Sequence, residues 1–125
     1  MNKRDPKLTV LQFNECINNQ DPDGLANLMT EDVTLVEGEE TAHKGKDAVK
    51  NAWTTFFNMC PDYKNHFTRI ESRENMVIII GFSTCSNKAV DGPALWTARI
   101  ENDLITEWRI LDDTKENRKS LDIAT

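Results

Sequence analysis

Glu37, His43 and Asp112 are the side chains whose setting in the sequence suits proton transfer. In the stretch VTLVEGEE, residues 33–40, an extended backbone sends Val33, Leu35 and Glu37 to one face and Thr34, Val36 and Gly38 to the other. A carboxylate thus closes an apolar face. There it can act as a general base, or it can end the strand structurally, bonded to backbone N–H groups or to Lys44. His43 follows on the next segment, close enough along the chain for a Glu–His proton relay; out of contact, it is a residue of the rim. In WRILD, residues 108–112, alternation groups Trp108, Ile110 and Asp112 on the more apolar side, away from Glu107, Arg109 and Leu111. Asp112 is therefore a second acid–base candidate, or else it caps the turn through the Asp-Asp-Thr run. His43 and His66 are the only histidines and cannot close a metal site without carboxylates, so no metal is expected. No glycine-rich phosphate loop is present, so no cofactor is expected either.

These residues need elements to position them. Asp5-Pro6 supplies a cap and a first helical proline ahead of KLTVLQFNECINNQ, where Val10, Phe13 and Ile17 recur at helical spacing. DPDGLANLMTED reads as a turn and a short helix carrying Leu25, Leu28 and Met29, and a strand starts near Val33. After a break at Gly38 and a short strand, ETAHKG, comes the clearest helix: Val49, Ala52, Trp53, Phe56, Phe57 and Cys60 fall on one stripe before Pro61 stops it. The pattern then changes to period two. YKNHFTRIESR, NMVIIIGFSTCSN, ALWTARIE and LITEWRILD, separated by Glu74-Asn75, Asp91-Gly92-Pro93 and Asn102-Asp103, read as an antiparallel meander. A polar tail, DTKENRKSLDIAT, is expected to be solvated.

Helices first and strands afterwards give an α+β class: a curved antiparallel β-sheet wrapped around N-terminal helices, a cone with an open-ended pocket. Trp53, Trp96 and Trp108, with Phe13, Met29, Phe56 and Phe57, are the expected wall of that pocket, with an apolar small molecule as its occupant. A two-residue turn at Asn102-Asp103 would set Trp96 against Arg109, so both tryptophans face inward only with a bulge or a longer loop. Burial of two tryptophans favours that arrangement.

A chain of 125 residues with 38% hydrophobic content has the size of one domain, able to withdraw roughly two thirds of its unfolded surface from water. The net charge of -6, without a Lys/Arg run, speaks against nucleic acid. Cys16, Cys60 and Cys85 show no C-x-x-C spacing and read as reduced structural thiols of a cytoplasmic protein. MVIII is too short for a membrane span, and no membrane partner is expected.

The order of elements, with NNQDPDGLANLMTEDVTLVEG, HKGKDAVKNAWTTFF and the closing ITEWRILDD, resembles the nuclear transport factor 2-like superfamily, the cystatin-like cone fold, and within it the SnoaL-like and ketosteroid-isomerase-like proteins. The resemblance covers about residues 8–113 and implies a single SnoaL-like domain over 1–125 with a polar C-terminal tail. It implies that Glu37 matches the carboxylate base of ketosteroid isomerases and Asp112 the aspartate of SnoaL-type cyclases. Phe13 and Trp96 stand where those isomerases hold their oxyanion donors, so steroid isomerisation is disfavoured. The expected function is acid–base isomerase, cyclase or dehydratase chemistry on an apolar carbonyl compound; the alternative is a non-catalytic ligand-binding or dimeric interaction domain. A homodimer is expected, because Val77, Ile79 and Cys85 on one side of their strand and Ile78, Ile80 and Phe82 on the other both call for a cover.

Overall fold

The computed structural model describes residues 5–38 and 41–123. Helix α1 (Pro6–Asn18) begins where Asp5 accepts a hydrogen bond from the Lys7 N–H, and it buries Val10, Phe13 and Ile17 as its periodicity demands. Asp21 caps α2 (Pro22–Asn27) in the same way. Strands β1 (Met29–Glu37) and β2 (Thr41–Lys44) form a hairpin that leads into α3 (Lys46–Met59). The meander follows as β3 (Lys64–Arg73), β4 (Met76–Thr84), β5 (Gly92–Glu101) and β6 (Leu104–Asp112), and a short helix, α4 (Lys115–Ser120), ends the described chain. No helix is long and apolar enough to cross a membrane among the described residues.

The six strands make one sheet in the order β2-β1-β6-β5-β4-β3. Neighbours are antiparallel except β1 and β6, which run parallel, so the expectation of a wholly antiparallel sheet fails at this one junction. Its cause is topological: β2, α3 and strands β3–β5 separate β1 from β6, and the chain returns in the same direction. Helices α1–α3 lie on the concave face around a core that includes Phe13, Met29, Trp96 and Trp108, all fully buried.

Besides the register shift between Met29 and Thr34 where β1 meets β6, two bulges interrupt the sheet. Asn102 and Asp103 have φ of 51° and 66°, a two-residue turn with left-handed residues, yet Trp96 pairs with Ile110 and Ala98 with Trp108. Between them Ile100 pairs with Ile105 and Arg99 with Glu107, which leaves Thr106 as the extra residue. This bulge turns both tryptophans inward. The second bulge leaves Thr68 unpaired between Phe67 opposite Gly81 and Arg69 opposite Ile80. Here the strands approach so closely that a Cβ on Gly81 would stand 2.1 Å from the His66 carbonyl oxygen.

The tail is largely exposed, as expected, but it is anchored to the sheet. Arg73 pairs with Met76 on the convex face, and its guanidinium donates to the carbonyl oxygens of Leu121 and Asp122, the latter at 2.8 Å. An Arg118–Asp113 ion pair at 2.6 Å holds α4 to the end of β6, and Ile123 is buried. The segment therefore lies on the convex face, where Ile78 and Leu95 are buried within the single chain. Phe82, at the far end of that face, is 41% exposed.

Candidate functional site

Pairing in the β1–β2 hairpin fixes the chemistry on one face. Leu35 stands opposite His43 and Glu37 opposite Thr41, so Leu35, Glu37 and His43 point the same way, with Glu37 and His43 diagonal neighbours about 7–8 Å apart at the backbone. Lys44 pairs with Thr34 and takes the opposite face, which removes it as the partner that would make Glu37 structural. Gly38 ends the strand with φ of 63°; its N–H donates to the Ile110 carbonyl at 2.8 Å, and its carbonyl accepts from Arg109 at 3.0 Å. The strand end that carries Glu37 is thereby pinned to β6.

Facing the hairpin, α3 divides its apolar surface into two flanks. Val49, Trp53 and Phe57 go to the core, while Ala48, Ala52, Phe56 and Met59 with the polar Asn51 and Thr55 border open space. Between this flank and the sheet lies a cavity of about 480 Å³ that reaches Leu35, Glu37, His43 and Ile110 on one side and Trp53 and Tyr63 at its base. Glu37, His43, Asn51 and Met59 are exposed, so the cavity opens to water at that end. Its base is aromatic: Phe56 meets Tyr63 edge to face at 4.7 Å and Trp53 at 6.1 Å. The Tyr63 hydroxyl contacts Ser83 at 3.0 Å, and Ser83 donates to Asn65 at 2.8 Å. Burial pushes the Tyr63 phenol up from its ordinary range, more than these contacts lower it, so it stays neutral.

Of the seven side chains expected to wall the pocket, the structure brings Trp53 and Phe56 to it. Phe13, Met29, Trp96 and Trp108 are fully buried in the core; Trp108 lies 4.8 Å from Phe13, and Trp96 lies 5.3 Å from Phe67. Phe57 packs on Trp53 at 5.6 Å and also belongs to the core. The reason is position across the sheet: Trp108 packs against Phe13 of α1 and Trp96 against Phe67 of β3, whereas the cavity lies on the β1–β2 side, at Leu35, Glu37 and His43. Asp112 ends β6 opposite Ala94, exposed and outside the cavity lining. Its carbonyl accepts from the Asn117 side chain at 2.8 Å, while the cap of α4 is Thr114. Asn51, Thr55, Met59 and Tyr63 escaped the sequence reading. Met59, at helical spacing from Ala52 and Phe56, was their one readable signal.

The sequence model of the SnoaL-like domain matches residues 10–108. No curated protein sequence matches this chain. Among solved structures, an uncharacterized cystatin-fold protein from Novosphingobium aromaticivorans is 15% identical, covers 86% of this chain and 98% of its own, and superposes with a TM-score of 0.77. A candidate SnoaL-like polyketide cyclase from Jannaschia sp. CCS1 is 13% identical over 100% of both chains, with a TM-score of 0.75. An LEH-like epoxide hydrolase of Mycobacterium tuberculosis is 14% identical, covering 86% of this chain and 82% of its own, with a TM-score of 0.74. At such identities the likeness is one of fold. The family match extends over most of the chain: this protein belongs to the SnoaL-like domain family.

Proposed function

We propose that the protein binds an apolar carbonyl compound in the cavity between α3 and the β1–β2 hairpin and transfers a proton on it, with Glu37 as base and His43 as the second proton carrier. The observation that carries this reading is the shared face of Leu35, Glu37 and His43, set against the apolar flank of α3 across the cavity. Glu37 has the chemistry of a general base, and His43 lies within a relay's reach. Asn51 and Thr55, one turn apart on α3, supply an amide and a hydroxyl where a carbonyl oxygen gains charge, the role that Phe13 and Trp96 cannot fill. Asp112 has no part in this scheme because it lies outside the lining.

Binding without chemistry is the second reading, supported by the exposure of Glu37, whose surroundings include water. Exchange of protons next to the carbonyl separates the two. A panel of apolar ketones, 4-phenyl-2-butanone among them, is incubated with the protein in deuterium oxide and followed by proton NMR. Catalysed exchange that falls about 10²–10⁴-fold in Glu37→Gln supports the proton-transfer reading. Equal exchange in both proteins, with the ketone still bound, leaves the binding reading.

A further inference from the structure

At its base the cavity meets a buried polar chain. Tyr63 forms part of that base, and the Tyr63 hydroxyl, the Ser83 hydroxyl and the Asn65 side chain follow one another at 3.0 and 2.8 Å. All three residues are buried. Asn65 is held from α1: its N–H donates to the Asn18 side-chain oxygen at 2.8 Å, and its carbonyl accepts from the side chains of Asn18 at 3.0 Å and Asn14 at 3.4 Å. The Tyr63 ring is held at the other end by Phe56, edge to face at 4.7 Å. Counting protons gives the chain a direction. A serine hydroxyl has one proton, and Ser83 gives it to Asn65 Oδ1, an oxygen that can only accept. The contact between Tyr63 and Ser83 therefore runs from the phenol to the serine. With its proton committed to β4, the Tyr63 phenol meets a ligand as an acceptor.

We infer that the ketone bound in this cavity, on the reading proposed above, carries a hydroxyl group at its inner end, which donates to the Tyr63 oxygen; Tyr63 thereby determines specificity. The two ends of the cavity ask for different chemistry. Asn51 and Thr55 on α3 offer donors to a carbonyl, whereas the base offers an oxygen whose own proton is already engaged. An ether or a second carbonyl at the inner end would set lone pair against lone pair, and a bare hydrocarbon would leave the phenol oxygen without a donor. A hydroxyl supplies the missing proton. A neutral hydrogen bond of this kind discriminates between ligands by about 2–12-fold.

Three ketones that differ in one ring substituent are titrated into the protein, and their dissociation constants are compared: 4-phenyl-2-butanone, 4-(4-hydroxyphenyl)-2-butanone and 4-(4-methoxyphenyl)-2-butanone. The parent should bind the hydroxyl compound most tightly. In Tyr63→Phe the advantage of the hydroxyl compound over the phenyl compound should shrink by about 2–12-fold, whatever happens to either affinity alone. In Ser83→Ala the Tyr63 proton loses its acceptor and can turn to the ligand, so the methoxyl compound should gain on the hydroxyl compound. A parent that prefers methoxyl to hydroxyl, or a hydroxyl advantage unchanged in Tyr63→Phe while the ketones still bind, would overturn this inference and leave the ketone reading standing. Absence of saturable binding by all three would overturn both. The order of preference of the parent decides even if a variant does not fold.

Discussion

Replacing Trp96 by Ala should destabilise the protein severely and leave the cavity unchanged, whereas replacing Trp53 should cost less and impair ligand binding. Trp96 is fully buried and packed against Phe67. A tryptophan withdraws about 150–250 Å² from water, worth about 4–6 kcal/mol at about 25 cal/mol per Å². Its indole N–H finds no acceptor among the described residues, which offsets about 1–3 kcal/mol of this. Truncation leaves a sealed void whose lining loses contacts, and that returns the expected cost to about 3–5 kcal/mol. For a domain of this size the loss corresponds to a fall in Tm of about 12–20 °C. Trp53 is nearly as buried, at 4% exposure, but its loss only enlarges a space already open to water. Without the sealed-void contribution its cost should be smaller by about 1–2 kcal/mol. Circular dichroism melts of the two variants give the stabilities, and quenching of tryptophan fluorescence by an apolar ketone gives the binding. A Trp96→Ala protein that melts near the parent but binds the ketone poorly would refute the assignment of Trp96 to core and Trp53 to cavity.

Gly81→Ala should be among the most damaging small substitutions, since its Cβ meets backbone at His66 and no side chain can move aside; failure to express folded protein, or a Tm drop beyond about 10 °C, is expected. The Arg118 guanidinium holds the Asp113 carboxyl below the usual carboxylate range, so the pair stabilises the fold above about pH 3.9 and its contribution is lost as pH falls through the folded pKa. Urea titrations of Asp113→Asn should therefore show a deficit at neutral pH that narrows in acid, and a deficit constant with pH would contradict this. We propose that the far end of the convex face, around Phe82, pairs with a second copy; sedimentation should show a dimer that Phe82→Glu dissociates, and a folded monomer at micromolar concentration would exclude it.

The helix order, the α3 stripe and the hairpin ending at Glu37 were readable because each rests on local periodicity and on turn chemistry at Asp5, Asp21 and Gly38. The inward turn of Trp96 and Trp108 followed from the cost of exposing them. Core and cavity were not separable, because Val49, Trp53 and Phe57 sit beside Ala52 and Phe56 within one apolar stripe, and only the distance to the sheet decides which flank is filled. The parallel β1–β6 pair depends on long-range topology that no local pattern carries. The tail is mostly exposed, as its polar composition suggests; its short helix and the burial of Ile123 were announced only by Thr114 as a cap and by the apolar Leu121 and Ile123.

The most direct test of the site is a methyl NMR titration with 4-phenyl-2-butanone and related apolar ketones. Saturable shifts should centre on the methyl groups of Leu35, Ala48, Ala52 and Ile110, with Val10, Ile79 and Leu95 unmoved. Shifts confined to Leu8 and Leu11 on the exposed side of α1, or none at the four cavity residues across the panel, would show that the space between α3 and the β1–β2 hairpin is not the binding site.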